Sequence, residues 1–95
     1  MTSKQRAKLR GLANRMETIL QIGKSGITPT LEIQCRDALA ARELIKGRVL
    51  ETSPLGPKEA AAQLAEAVDA QVVQVMGSRF VLYKSNPEKL GLLLD

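Results

Sequence analysis

Apolar positions recur along the chain at two spacings, and the change from one spacing to the other separates predicted helices from predicted strands. After a cap at Thr2 or Ser3, a spacing of three or four residues predicts a first helix that gives way to a strand around Glu17. The apolar stripe of this helix consists of Leu9, Leu12, Ala13, Met16 and Ile19. The short, β-branched segment 18–22 then predicts the first strand.

The rest of the chain alternates between the same two patterns. The further predicted elements are a helix over 28–42, a strand over 44–50, a loop over 53–57, a helix over 57–69, and strands over 71–76 and 79–84. Pro29 stands in the first turn of the second helix, where its missing N–H is not needed. The Gly77–Ser78 link between the last two strands is typical of a type II′ hairpin turn. A further short helix is expected after Asn86 and Pro87.

This order of elements predicts the fold class. It favours an α/β fold of the α+β two-layer type, in which helices pack on a mixed four-stranded sheet. The connections through the second and third helices are expected to be right-handed crossovers between parallel strands. Alternation within the second strand places Gly47 on one face and Lys46 and Arg48 on the other. We expect one domain over residues 1–85 and a C-terminal tail over residues 86–95.

The turn between the first strand and the second helix carries two glycines, separated by a lysine and a serine. Gly23 and Gly26 allow a positive φ and the close approach of a ligand to the backbone. The helix that follows is expected to present free N–H groups and the positive end of its dipole. Such a turn is a site for a phosphate, to which Lys24 supplies a point charge and Ser25 a hydrogen bond. We expect the turn to be exposed.

Two other interpretations of this turn compete with the phosphate site. The run Gly23-Lys24-Ser25 is similar to the end of a nucleotide-binding P-loop, but that motif needs a glycine where Thr18 stands. A plain glycine turn with one solvated lysine is the second alternative, because a glycine-x-x-glycine pattern alone is weak evidence. The flanking elements and the distribution of charge favour the phosphate site over both.

Positive charge is concentrated in one half of this chain, which has 95 residues and a formal net charge of +4. Residues 1–48 carry ten Lys and Arg side chains against four acidic ones, whereas residues 49–95 carry more acids than cations. A basic half indicates a polyanionic partner. Surface helices that simply carry lysine and arginine are the alternative explanation.

The composition gives little support to catalysis. The chain has no histidine, which is the commonest general base and metal ligand, so Cys35 lacks a histidine partner for nucleophilic chemistry. Glu32 and Asp37 are interpreted as surface charges, and we expect no metal, no cofactor and no small-molecule substrate. No apolar run approaches the length of a membrane span, and the N-terminus lacks the apolar core of a secretion signal. These features favour a cytoplasmic protein.

Three separate blocks of sequence resemble the CRM domain family (chloroplast RNA splicing and ribosome maturation) in its stand-alone bacterial YhbY-type form. The blocks are 20–28, 43–46, and 72–77 followed by 81–84, and the resemblance spans roughly residues 3–84. It implies RNA binding, an association of bacterial members with precursors of the large ribosomal subunit, and a fold similar to the C-terminal domain of the third translation initiation factor. Gly47 and Met76 depart from the family pattern, and Gly47 is expected to weaken its strand slightly.

The expected RNA site is a backbone clamp, because the only two aromatic side chains, Phe80 and Tyr83, are interpreted as core residues. The proposed contacts are Gly23, Lys24, Ser25 and Gly26 in the turn, Lys4, Lys8, Arg10 and Arg15 along the first helix, and Lys46 and Arg48 if their strand face is open. A solvated charged face is the alternative for the basic residues outside the turn.

The expected function is that of a non-enzymatic monomer that binds ribosomal RNA during large-subunit assembly. The alternatives are a general nucleic-acid or ribosome-surface protein, and a protein–protein adaptor with a basic face.

Overall fold

All seven predicted elements within residues 1–86, the part of the chain described by this computed structural model, are present in the predicted order. Their bounds are α1 (Ser3–Ala13), β1 (Thr18–Ile22), α2 (Pro29–Arg42), β2 (Leu44–Val49), α3 (Pro57–Val68), β3 (Gln71–Met76) and β4 (Arg79–Tyr83). Most bounds agree with the predicted ones to within a residue or two. The short helix predicted after Asn86 and Pro87 lies outside the described residues.

The end of α1 is the largest difference from the sequence prediction. The helix stops at Ala13 instead of continuing toward Glu17, and the Met16 N–H donates to the Ala13 carbonyl at 3.0 Å in the turn that follows. Pairing of Thr18 with Lys46 fixes the start of β1, so the chain must leave the helix early enough to reach the sheet. Leu12, which was predicted to be part of the apolar stripe, lies inside the helix but is 42% exposed.

The four strands form one mixed sheet in the order β1-β2-β4-β3, which confirms the predicted fold class. β1 and β2 are parallel, whereas β4 is antiparallel to both of its neighbours. β2 and β3 therefore run in the same direction on either side of β4. Both helical connections join strands of one direction, as predicted. At the β3–β4 hairpin Gly77 has φ +59, the sign that a type II′ turn requires there.

The two-layer arrangement expected from the sequence is corrected in one respect, since helices cover both faces of the sheet. One cluster of buried residues joins α2 and α3 to Ile45, Phe80 and Leu82, and a second cluster joins Leu9 of α1 to Leu44 on the opposite face. Adjacent strand residues point to opposite faces, so neighbouring apolar residues in β2 and β4 pack into two separate cores.

Gly47 has a packing role that the sequence did not reveal. It is buried on the α2–α3 face of β2, directly opposite Phe80 in β4. A Cβ added to Gly47 would lie 2.7 and 2.8 Å from the two Cε atoms of the Phe80 ring. Gly47 therefore makes room for the ring by its missing side chain, a role separate from its expected effect on the strand.

Candidate nucleic-acid interface

The glycine turn lies where the sequence predicts it, between β1 and α2. The Gly26 N–H donates to the Gly23 carbonyl at 2.9 Å, which closes a four-residue turn. Lys24 and Ser25 occupy its two central positions, and both are exposed. The ammonium and the hydroxyl are thus presented to solvent at the tip of the turn.

The two glycines of this turn have different environments. Gly26 has φ +65 and is buried, and a Cβ there would lie 3.4 Å from Cγ of Pro54. Gly23 has no positive φ, and its Cβ would make an ordinary contact of 3.6 Å with Cδ1 of Leu50. The predicted exposure of the turn is therefore correct for Lys24 and Ser25 but wrong for Gly26, because the loop after β2 covers it.

The first turn of α2 offers fewer free donors than the sequence suggested. The Thr28 hydroxyl accepts a hydrogen bond from the Leu31 N–H at 3.1 Å, and the Thr28 carbonyl accepts one from the Glu32 N–H at 3.0 Å. Pro29 has no N–H to offer. Within the described turn, this leaves the amide of Thr30. A phosphate at this edge would depend more on cationic side chains than on helix amides.

Three loops meet at the edge of the sheet where the parallel strands β1 and β2 end. The Leu50 N–H donates to the Ile22 carbonyl at 2.9 Å, which joins the loop after β2 to the end of β1. The Val49 N–H donates to the Ser78 carbonyl at 2.7 Å, which brings the β3–β4 hairpin to the same edge. Ligands of open α/β sheets characteristically bind at the carboxyl ends of parallel strands.

The predicted basic residues of α1 do not form one continuous surface. Lys4 and Lys8 are exposed and lie four residues apart, so they share a side of the helix that points away from the buried Leu9 and Ala13. Arg10 is exposed on a flank of the helix. Arg15, which the sequence placed on this helix, lies beyond its end; that assignment is wrong because α1 stops at Ala13.

Lys46 and Arg48 lie on the same face of the sheet, as their alternation predicted, and this is the face that carries α1. The Lys46 ammonium is half-buried and donates to the Ala13 carbonyl at 3.4 Å, where a positive charge stabilises the end of α1. Arg48 is exposed on the part of this face that α1 leaves open. Lys46 therefore has a structural role, whereas Arg48 is available to a ligand.

Arg79 is a candidate that the sequence analysis missed. It is the first residue of β4, is exposed, and pairs directly with Arg48 of β2. The Gly77–Ser78 turn pattern in the sequence predicts that Arg79 begins a strand. It does not predict that this strand pairs with β2, and only that long-range pairing brings the two arginines together.

In the described part of the chain no cluster of metal ligands is present, and Cys35 is buried. Within residues 1–86, no three His, Cys, Asp or Glu side chains lie close enough together to hold a metal ion. Cys35 is fully buried, and burial raises the pKa of its thiol to about 11, although the charges of Arg36 and Lys84 act in the opposite direction. The thiol is therefore a packed core group. No helix in this part of the chain has the length and apolar character of a membrane span.

These features define a small α/β domain whose exposed chemistry is a glycine turn and a set of cations. The model of the CRS1/YhbY (CRM) domain family matches residues 1–84. The chain therefore belongs to the CRS1/YhbY (CRM) domain family, and the resemblance found in three sequence blocks is confirmed.

Similar proteins come from several bacteria. "Probable RNA-binding protein YqeI" of Bacillus subtilis is 38% identical over 88 residues, which cover 93% of this chain and 92% of that protein. A Haemophilus influenzae protein named "RNA-binding protein" is 27% identical over 88 residues, which cover 93% of this chain and 89% of the relative. The solution structure of the hypothetical Staphylococcus aureus protein SAV1595 matches with a TM-score of 0.78 and 43% identity, over 94% of each chain.

Proposed function

We propose that this chain is a non-enzymatic, cytoplasmic RNA-binding protein that contacts the RNA backbone through the turn 23–26. The observation that carries the proposal is the exposed Lys24–Ser25 tip at the edge where β1 and β2 end. Membership of the CRM family and the names of the relatives support RNA as the polyanion. The basic N-terminal half supplies the long-range attraction.

The placement of the aromatic residues supports contact with the RNA backbone over contact with the bases. Phe80 is 0% exposed and Tyr83 is 5% exposed, so neither can act as a platform on which bases stack. Contacts to phosphate and sugar give orientation and affinity but little sequence information. The protein would therefore select its target by the shape of the RNA.

The finer proposal is that the target is ribosomal RNA in precursors of the large subunit. It rests on what the family resemblance implies about bacterial members. A small domain that reads backbone and shape needs a particular folded RNA surface to bind selectively. A surface that is exposed during assembly and later covered would explain both binding and release.

The first expected result is a strong salt dependence of RNA binding. If about four to six phosphates are neutralised, a plot of log affinity against log salt concentration should have a slope of about −3 to −5. The slope can be measured by fluorescence anisotropy with a labelled single-stranded RNA and with ribosomal RNA. An affinity that is independent of salt would contradict a phosphate-based interface.

The second expected result concerns the partner in cells. On sucrose gradients of a cell lysate, the protein should sediment with precursors of the large ribosomal subunit and be largely absent from mature ribosomes. RNase treatment should release it. Signal on small-subunit particles would support a general RNA-binding or ribosome-surface protein instead. An association that survives RNase treatment would support the alternative of a protein–protein adaptor.

A further inference from the structure

The face of the sheet that carries α1 is only partly covered. The strand register places four exposed residues side by side across all four strands, beyond the end of α1. These residues, which we call the sheet row, are Gln21, Arg48, Arg79 and Met76. At a strand spacing of about 4.8 Å the row extends for about 14 Å.

The strand alternation confirms that the sheet row lies on the α1 face. Gln21 stands between two residues of the α2–α3 core, and Arg79 precedes Phe80, which belongs to the same core. Met76 pairs directly with Arg79 and therefore points to the same side. The row begins two residues before Gly23, so it borders the edge that carries the glycine turn.

The two central arginines are placed unfavourably for a protein without a ligand. Arg48 and Arg79 are direct cross-strand partners, and like charges in such positions destabilise a sheet. Within residues 1–86 neither guanidinium has an ion pair or hydrogen bond, and their other neighbours in the row are uncharged. A bound anion would replace this repulsion with attraction to both side chains.

We infer that the sheet row is a second RNA contact, in which Arg48 and Arg79 together hold one phosphodiester group while Met76 packs against the adjoining ribose or base. This inference rests on the proposed RNA-binding function and extends it from the turn to the sheet. The paired N–H donors of one guanidinium match the geometry of two phosphate oxygens. Two guanidiniums on neighbouring strands can therefore donate to the same phosphate.

RNA fits the sheet row better than a protein does. Arginine and methionine are also common at protein–protein interfaces, but two adjacent arginines without an ion pair among the described residues suit a partner with a regular series of negative charges, which an RNA backbone has. Gln21, at one end of the row, is separated from the turn 23–26 by a single residue, Ile22, and the turn carries the exposed cation Lys24. One extended RNA backbone could therefore contact both features without leaving this edge of the sheet.

The proposal is tested by neutralising each arginine in the full chain. Arg48→Gln and Arg79→Gln should each weaken binding of a labelled single-stranded RNA about tenfold, because a charge-assisted contact to phosphate is lost. Each should also reduce the salt slope by about 1. The loss of RNA affinity in the double variant should be smaller than the product of the two single losses, since both side chains hold the same phosphate. Arg42→Gln, which removes an exposed arginine of α2 outside the row, is the matched control and should change affinity less than about twofold.

Thermal melting separates a ligand contact from a structural role. Removing either arginine relieves a repulsion between like charges, so the melting temperature of Arg48→Gln and Arg79→Gln should stay the same or rise. A structural role would lower it. Lower RNA affinity without lower stability is the pattern that the proposal requires, and a parallel loss of both would overturn it.

A photo-crosslinking residue provides a direct test of position. Introduced at Met76, it should crosslink to labelled RNA, whereas the same residue at Ile33, an exposed apolar position on α2, should not. If RNA binds and Lys24→Glu weakens it, but the Arg48 and Arg79 variants behave like Arg42→Gln, the sheet row is overturned and the proposed function stands. If the unaltered protein binds no RNA, both fail. The same crosslinking can be done in cells. Crosslinks from position 76 to an acidic protein in place of RNA would overturn the assignment of RNA to the row.

Discussion

Replacing Gly26 with aspartate should lower both the stability and the RNA affinity of the protein, whereas replacing Lys24 with glutamate should lower the RNA affinity alone. Gly26 has φ +65 and is buried against Pro54, so a side chain there is strained and crowded. Strain of this kind costs about 1–3 kcal/mol. For a domain of this size the melting temperature should fall by roughly 4–8 °C per kcal/mol.

Lys24 differs from Gly26 because its side chain lies in solvent at the tip of the turn. Reversing its charge removes a contact to phosphate and adds a repulsion, without disturbing any packed group. The RNA dissociation constant should therefore rise about tenfold or more, while the melting temperature stays unchanged. Anisotropy titration and circular dichroism melting measure the two quantities on the same samples.

Two controls make this comparison specific. Gly23→Ala should keep both fold and binding, because Gly23 has an ordinary φ and the new methyl group would be 3.6 Å from Leu50. Lys24→Gln and Arg42→Gln each remove one positive charge. A difference in RNA affinity between these two variants would therefore come from the position of the charge and not from the net charge. Native RNA affinity in a folded Lys24→Glu protein would refute the assignment of the turn.

Local patterns were sufficient to predict the elements of this fold. The Thr28–Pro29 pair marks the start of α2 because the threonine side chain accepts from one N–H of the first turn and the proline has no N–H to satisfy. The Gly77–Ser78 pair marks the hairpin for a similar local reason. The exposed tip of the glycine turn was predictable in the same way, since turn residues interact mainly with their own neighbours.

The properties that depend on distant residues could not be predicted. Gly26 is buried because Pro54, from the loop after β2, packs on it. Lys46 has a structural role because α1 ends above it. The Arg48–Arg79 pair exists only because β4 inserts between β2 and β3. Each of these contacts joins residues far apart in the chain, and no local spacing specifies which strands become neighbours.

The pairing of Gly47 with Phe80 is another long-range contact that the sequence alone does not predict. Replacing Gly47 with a larger residue should cause the largest loss of stability. A Cβ at Gly47 would overlap the Phe80 ring, with both Cε atoms under 3.0 Å away. Phe80 is 0% exposed, so the ring has no solvent-filled space into which it can move. Gly47→Ala should therefore lower the free energy of unfolding by about 1–3 kcal/mol, and Gly47→Val by more.

Urea denaturation followed by circular dichroism would measure this loss as a lower midpoint with an unchanged slope. Gly11→Ala is the matched control, because Gly11 lies in α1 with nothing within 4 Å of the added methyl group. It should stabilise the protein by about 0.5–1 kcal/mol, since alanine is the better helix former. The double variant Gly47→Ala with Phe80→Leu should be more stable than the sum of the two single effects, because the smaller side chain at position 80 makes room for the new methyl group. Strictly additive losses, or a Gly47→Val protein as stable as the unaltered chain, would contradict the conclusion that Gly47 exists to accommodate the ring.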